Sequence, residues 1–165
     1  MGFIKKLGSD TAIYGLSSIL GRFLNYLLVP LYTAKISAES GGYGVITNVY
    51  GYVALLMVIL TYGMETTLFR YINKEDEDPE KVYTTVLTSV GTTALLFVVA
   101  VLSLLWWIAP AMGYPDHPEY IGIMAVVVGL DAFQAIPFSY LRAKKRPIKF
   151  AALKLTFIVI NISLN

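Results

Sequence analysis

Arg22 and Asp131 each fall near the middle of a long apolar block, where a charge has no water to answer it. Insertion scales put the cost of such a charge at about 2.5–3.5 kcal/mol. A residue that expensive faces protein or water and has a partner. Two readings follow. The pair, at similar depth, can form a buried ion pair that locks helix packing, or it can form the charged wall of a transport pathway. A third charge, Glu65, sits in the stretch "LTYGMETTLFRYINKEDEDPEK", residues 60–81, where an apolar run ends in Glu65, Arg70 and a burst of acids. Arg70 can snorkel to an interface. Glu65 lies five residues deeper, about 7 Å along a helix and about 140° around it, so the two are not an i,i+4 pair. Either both are interfacial and solvated, or Glu65 lines a water-filled cavity that opens inward.

The first block supports a pathway. Thr11, Tyr14, Ser18, Arg22 and Asn25 recur every three or four residues and form one polar stripe on an otherwise apolar helix. A stripe facing lipid would be costly, so it faces a cavity or another helix. Pro30 removes the donor opposite Tyr26 and predicts a kink. In the fourth block Asp131 and Gln134 share a face, Pro137 predicts a bend, and Ala125, Gly129 and Ala132 suit close helix packing. Asn48, Tyr52 and Tyr62 leave a weaker polar trace in the second block. Thr85, Thr88 and Thr92 on the third read as packing, since helical threonines bond to their own backbone. The glycines at 41, 42 and 44 read as a turn and helix start.

The elements that must position these groups are membrane helices. The chain of 165 residues is 56% hydrophobic and 15% charged, against roughly a quarter charged in soluble domains. Its mean hydropathy is +0.64. Apolar blocks cover residues 11–34, 43–71, 82–109, 120–141 and 150–165. A spanning helix needs about 20 apolar residues, which the first four supply and the fifth approaches. The expected fold is therefore an all-α integral membrane protein of five transmembrane helices. The run after Lys5 and Lys6 is too long for a signal peptide and lacks a cleavage site, so it reads as a retained first span.

Lysine and arginine set the orientation. With the N-terminus in the cytoplasm, the inside holds Lys5, Lys6, Arg70, Lys74, Lys81, Arg142, Lys144, Lys145, Arg146 and Lys149, and the outside holds Lys35. Trp106 and Trp107 then fall at the outer end of the third span, as an aromatic belt requires. The chain has no cysteine, which excludes disulfides, zinc–thiolate clusters and thiol catalysis. His117, the single histidine, has one acid neighbour and makes a poor metal site. No nucleophile–base pair, phosphate loop or metal cluster is visible, so neither an enzyme nor a cofactor is expected. A net charge of +2 without a basic patch argues against a nucleic-acid partner.

Several segments resemble the N-terminal part of polysaccharide flippases of the multidrug, oligosaccharidyl-lipid and polysaccharide exporter superfamily. "SSILGRFLNYLLVPLYT" is similar to the first helix of that family, with arginine after glycine and proline in the outer half. "GGYGVITNVYGYVALLMVILTYGMETTLFRY" resembles its second helix, and "LDAFQAIPFSYLRAKKRPIKFAALK" its fourth helix, basic loop and fifth helix. The resemblance implies a multi-pass protein of the bacterial inner membrane that moves lipid-linked oligosaccharide outward by alternating access. It also implies two six-helix lobes around a central cavity. Residues 1–165 would be an incomplete N-terminal lobe of one, its partners being membrane lipids, a lipid-diphosphate-linked oligosaccharide and a missing C-terminal lobe.

On that resemblance Arg22 would grip the diphosphate with paired donors, and Asn25, Tyr14 and Ser18 would line the substrate site, with Asn25 and Tyr14 bonding sugar hydroxyls. Asp131 or Glu65 would hold Arg22 when the site is empty, or bind a coupling proton. Two alternatives remain: a cation-coupled drug exporter of the multidrug-and-toxin-extrusion type, and a non-transporting membrane scaffold.

Overall fold

A computed structural model of the chain describes residues 11–16, 19, 23, 30, 34, 42 and 44–160, together with the backbone of 43 and 161–164. The described residues form helices and no strand. In chain order the helices are α1 (Gly42–Thr61), α2 (Met64–Ile72), α3 (Pro79–Ser103), α4 (Leu105–Ala111), α5 (Pro118–Ala143) and α6 (Pro147–Leu164). Residues 11–16 are helical as well. Three stretches are long and apolar enough to cross a membrane: Gly44–Ile72, Pro79–Ser103 and Pro118–Ala143. The chain is an all-α membrane protein.

Three of the six helix starts among the described residues follow proline, not the edge of the apolar blocks. Pro79, Pro118 and Pro147 each open a helix. The first turn has no intrahelical partner for its amides, so proline loses nothing there and its fixed φ is already helical. At α3 the Asp78 side chain also accepts from the Glu80 amide at 3.0 Å. These helices therefore begin two or three residues before the hydropathy boundaries at 82, 120 and 150. Helix ends follow backbone chemistry too. After α4 the Tyr114 amide donates to Ala109 O and the Gly113 amide to Pro110 O, with Gly113 at φ 87°. After α5 the Arg146 amide donates to Leu141 O and the Lys145 amide to Arg142 O, the same two-bond closure, but with Lys145 at φ 51°.

Two expected spans are interrupted. The run 43–71 leaves helical geometry at Tyr62 (φ 31°) and Gly63 (φ 73°), which separates α1 from α2. The run 82–109 ends as one helix at Ser103, with Leu104 between α3 and the short α4 that contains Pro110. Pro137, by contrast, sits inside an α5 that continues to Ala143.

Gly44–Tyr140 forms one compact unit, and the flanking described residues form another. In the first, α5 buries Ile121, Met124, Ala125, Val128, Ala132 and Ile136, a face with helical period. Lipid tails are as apolar as leucine, so close packing, not removal from water, must hold such helices together. Small residues supply it, as expected from Ala125, Gly129 and Ala132. A Cβ added at Gly129 would lie 2.6 Å from Val98 Cγ2 and 3.6 Å from Ala94 O, which brings α3 and α5 into direct backbone approach. At one end Asn48 Nδ2 donates to Tyr114 Oη at 2.9 Å. At the other, the rings of Tyr83 and Tyr140 lie 4.2 Å apart between centroids. The second unit packs Tyr14 edge-on against the buried Phe150 of α6, at 5.1 Å, with the Arg142 guanidinium 6.0 Å from the same ring.

Candidate functional site

Glu65 lies in the first turn of α2, a helix N-terminus that exists only because the run breaks at Tyr62–Gly63. A carboxylate there answers the positive end of the helix dipole, and Arg70 in the last turn answers the negative end. Arg70 is exposed, with its guanidinium 5.9 Å from the Tyr71 ring. Glu65 is half-buried and accepts a 2.6 Å hydrogen bond from Ser139 Oγ on α5. Ser139 is itself fully buried. The two charges at the end of the second run thus differ: Arg70 is at the surface, and Glu65 is built into the helix contact.

Asp131 is half-buried on α5 and accepts from Gln134 Nε2 one turn on, at 2.5 Å. The shared face expected of these two residues is present. Asp131 and Ser139 are eight residues apart, about 12 Å along the helix. Both carboxylates are therefore oriented by neutral donors.

A polar face flanks the buried Val86, Val90 and Ala94 of α3. Thr84, Thr85, Thr88, Ser89, Thr92 and Thr93 line an open groove of about 580 Å³. Thr84 and Thr93 bond to the backbone carbonyls of Glu80 and Ser89, each at 2.8 Å. Thr85, Thr88 and Thr92 are exposed among the described residues. Tyr62 Oη reaches this face, 2.8 Å from Ser89 Oγ.

At the far end Tyr114 meets Tyr120 edge-on at 6.1 Å, His117 stacks on Tyr120 at 4.8 Å, and His117 Nδ1 lies 2.8 Å from Glu119 Oε1. The acid that pairs with the histidine is therefore two residues after it. Trp106 and Trp107 are 74% and 81% exposed, as a lipid-facing belt requires. No group of three or more metal-ligating side chains occurs among the described residues.

Of the residues expected to bind substrate, Tyr14 is packed on Phe150. Ser18, Arg22 and Asn25 lie outside the described residues, and with them the Arg22–Asp131 pair and the residues flanking Pro30 on which its expected kink depends. Reading the sequence missed Ser139 and Lys154. Ser139 extends the period of Ala125, Gly129, Ala132 and Ile136, and that spacing was a usable signal. Lys154 is a half-buried charge two turns into α6, and a count of loop charges passes over it.

No curated protein and no solved structure matches the chain. A sequence model described as polysaccharide biosynthesis protein matches residues 7–157, nearly the whole length, and the chain, with its membrane-spanning helices, belongs to that family.

Proposed function

We propose that the protein takes part in moving a lipid-linked oligosaccharide across the bacterial cytoplasmic membrane by alternating access. The observation that carries this reading is the family match over residues 7–157. A polysaccharide built on the inner side of a membrane needs its polar units carried across an apolar core. The half-buried Asp131, within a 26-residue apolar helix, supports a polar interior among these spans. In this reading Arg22 contacts the diphosphate with a two-donor fork, and Asn25, Ser18 and Tyr14 line the way for the sugar. Glu65 and Asp131 serve as charge partners or as carriers of a coupling proton. The cargo and the other helices of the pathway are partners of this chain.

Binding of a lipid-diphosphate-linked oligosaccharide tests it, measured on the protein in lipid nanodiscs beside an organic cation. The expected result is saturable binding of the diphosphate lipid, lost in Arg22→Ala and partly kept in Arg22→Lys, with abundance near normal. Preference for the cation would favour a drug exporter. A different result would reassign Arg22: abundance lost in Arg22→Ala and regained, with binding, in Arg22→Leu combined with Asp131→Leu. That outcome would make the arginine half of a structural ion pair, since breaking a buried pair costs about 3–5 kcal/mol.

A further inference from the structure

One apolar run supplies both α1 and α2, yet the chain leaves helical geometry at Tyr62 and Gly63, with φ of 31° and 73°. A Cβ added at Gly63 would meet no atom within 4 Å. Space does not demand glycine there; the left-handed backbone does. Tyr62 is a bulky aromatic at positive φ, a conformation that persists only when its surroundings impose it. Two side-chain bonds flank the break. Tyr62 Oη is 2.8 Å from Ser89 Oγ and 3.4 Å from Thr93 Oγ1, both on α3. Just beyond it, Glu65 of α2 accepts from Ser139 of α5 at 2.6 Å. Each rim of the break is therefore tied to a different helix.

A straight run would relieve Tyr62 and give the amides that open α2 their i−4 carbonyls back. It would lose both side-chain ties. Each arrangement therefore has interactions that the other lacks, as a two-state element requires. α2 is suited to move: it has nine residues, buries Leu68 and Ile72, and runs into the exposed segment 73–78.

We propose that Tyr62–Gly63 is a hinge about which α2 swings between the broken state, held by the Tyr62–Ser89 and Glu65–Ser139 bonds, and a straight state continuous with α1. This inference is independent of the cargo.

Pulsed electron–electron resonance on the full chain in lipid nanodiscs tests it, with spin labels at Thr66 and Leu130, both exposed. Wild type should give two distance populations. Gly63→Asn, which tolerates the left-handed region, should leave their ratio near that of wild type. Gly63→Ala fits the same open space but disfavours that backbone, and should shift the ratio at least threefold towards the straight state. Tyr62→Phe, which removes only the hydroxyl, should shift it the same way, and decides the matter if Gly63→Ala does not fold. A single distance unchanged in Tyr62→Phe, or the same response to alanine and asparagine, would overturn the hinge.

Discussion

Ser139 donates to Glu65 across 74 residues of sequence, at 2.6 Å, and joins the last turns of α5 to the first turn of α2. Hydrogen bonds to a charged group are worth about 1.5–3 kcal/mol. Alanine at 139 leaves almost no cavity, so its effect reports the loss of the hydroxyl's hydrogen bonding. Ser139→Ala should lower stability by about that amount, read as a lower thermal midpoint in detergent. An unchanged midpoint would mean that water replaces the serine, and that Glu65 is solvated.

Two glycines make a matched pair. Gly129→Ala forces a Cβ to within 2.6 Å of Val98, a stiff β-branched side chain against α5. It should cost about 1–3 kcal/mol through overpacking. Gly91→Ala meets only the Phe133 ring at 3.2 Å, and Phe133 is 42% exposed and able to yield. The gain in helix propensity, up to about 1 kcal/mol, should then make it neutral or stabilising. The thermal midpoint should fall in Gly129→Ala and stay level or rise in Gly91→Ala.

Lys145 occupies the left-handed position that Gly113 occupies at the end of α4. A side chain there costs roughly 1–2 kcal/mol. Lys145→Gly should therefore raise the thermal midpoint, while Lys145→Val, β-branched and unable to take that φ without strain, should lower it. Equal midpoints for all three proteins would show that the closure after α5 is not under strain.

The orientation is testable because the chain has no cysteine to remove. Single cysteines at Ser40, Glu77, Asp116 and Lys145 should divide into two pairs towards an impermeant thiol reagent in intact cells. Ser40→Cys and Asp116→Cys should label; Glu77→Cys and Lys145→Cys should not. The reverse pattern would place the N-terminus outside.

Membrane location, helical class and the approximate position of three spans were determined by the sequence alone. Twenty apolar residues in a row have one economical home, and inside it the backbone can satisfy its own polar groups only as a helix. The close approach at Gly129 was legible for a related reason, since small residues at helical spacing are what lipid-embedded contacts require. Helix starts were legible only in part. Hydropathy marks where water ends, whereas Pro79, Pro118 and Pro147 mark where the backbone turns helical. The break at Tyr62–Gly63 was not legible, because a lone glycine in an apolar run fits a helix as well as a break. Ser89 and Thr93 on α3, and Ser139 on α5, bond to its two rims. The surroundings of Glu65 were decided the same way: sequence spacing excluded an i,i+4 pair with Arg70 and left solvated and cavity-lining readings open, and the packing of α5 on α2 brings Ser139 within hydrogen-bond reach.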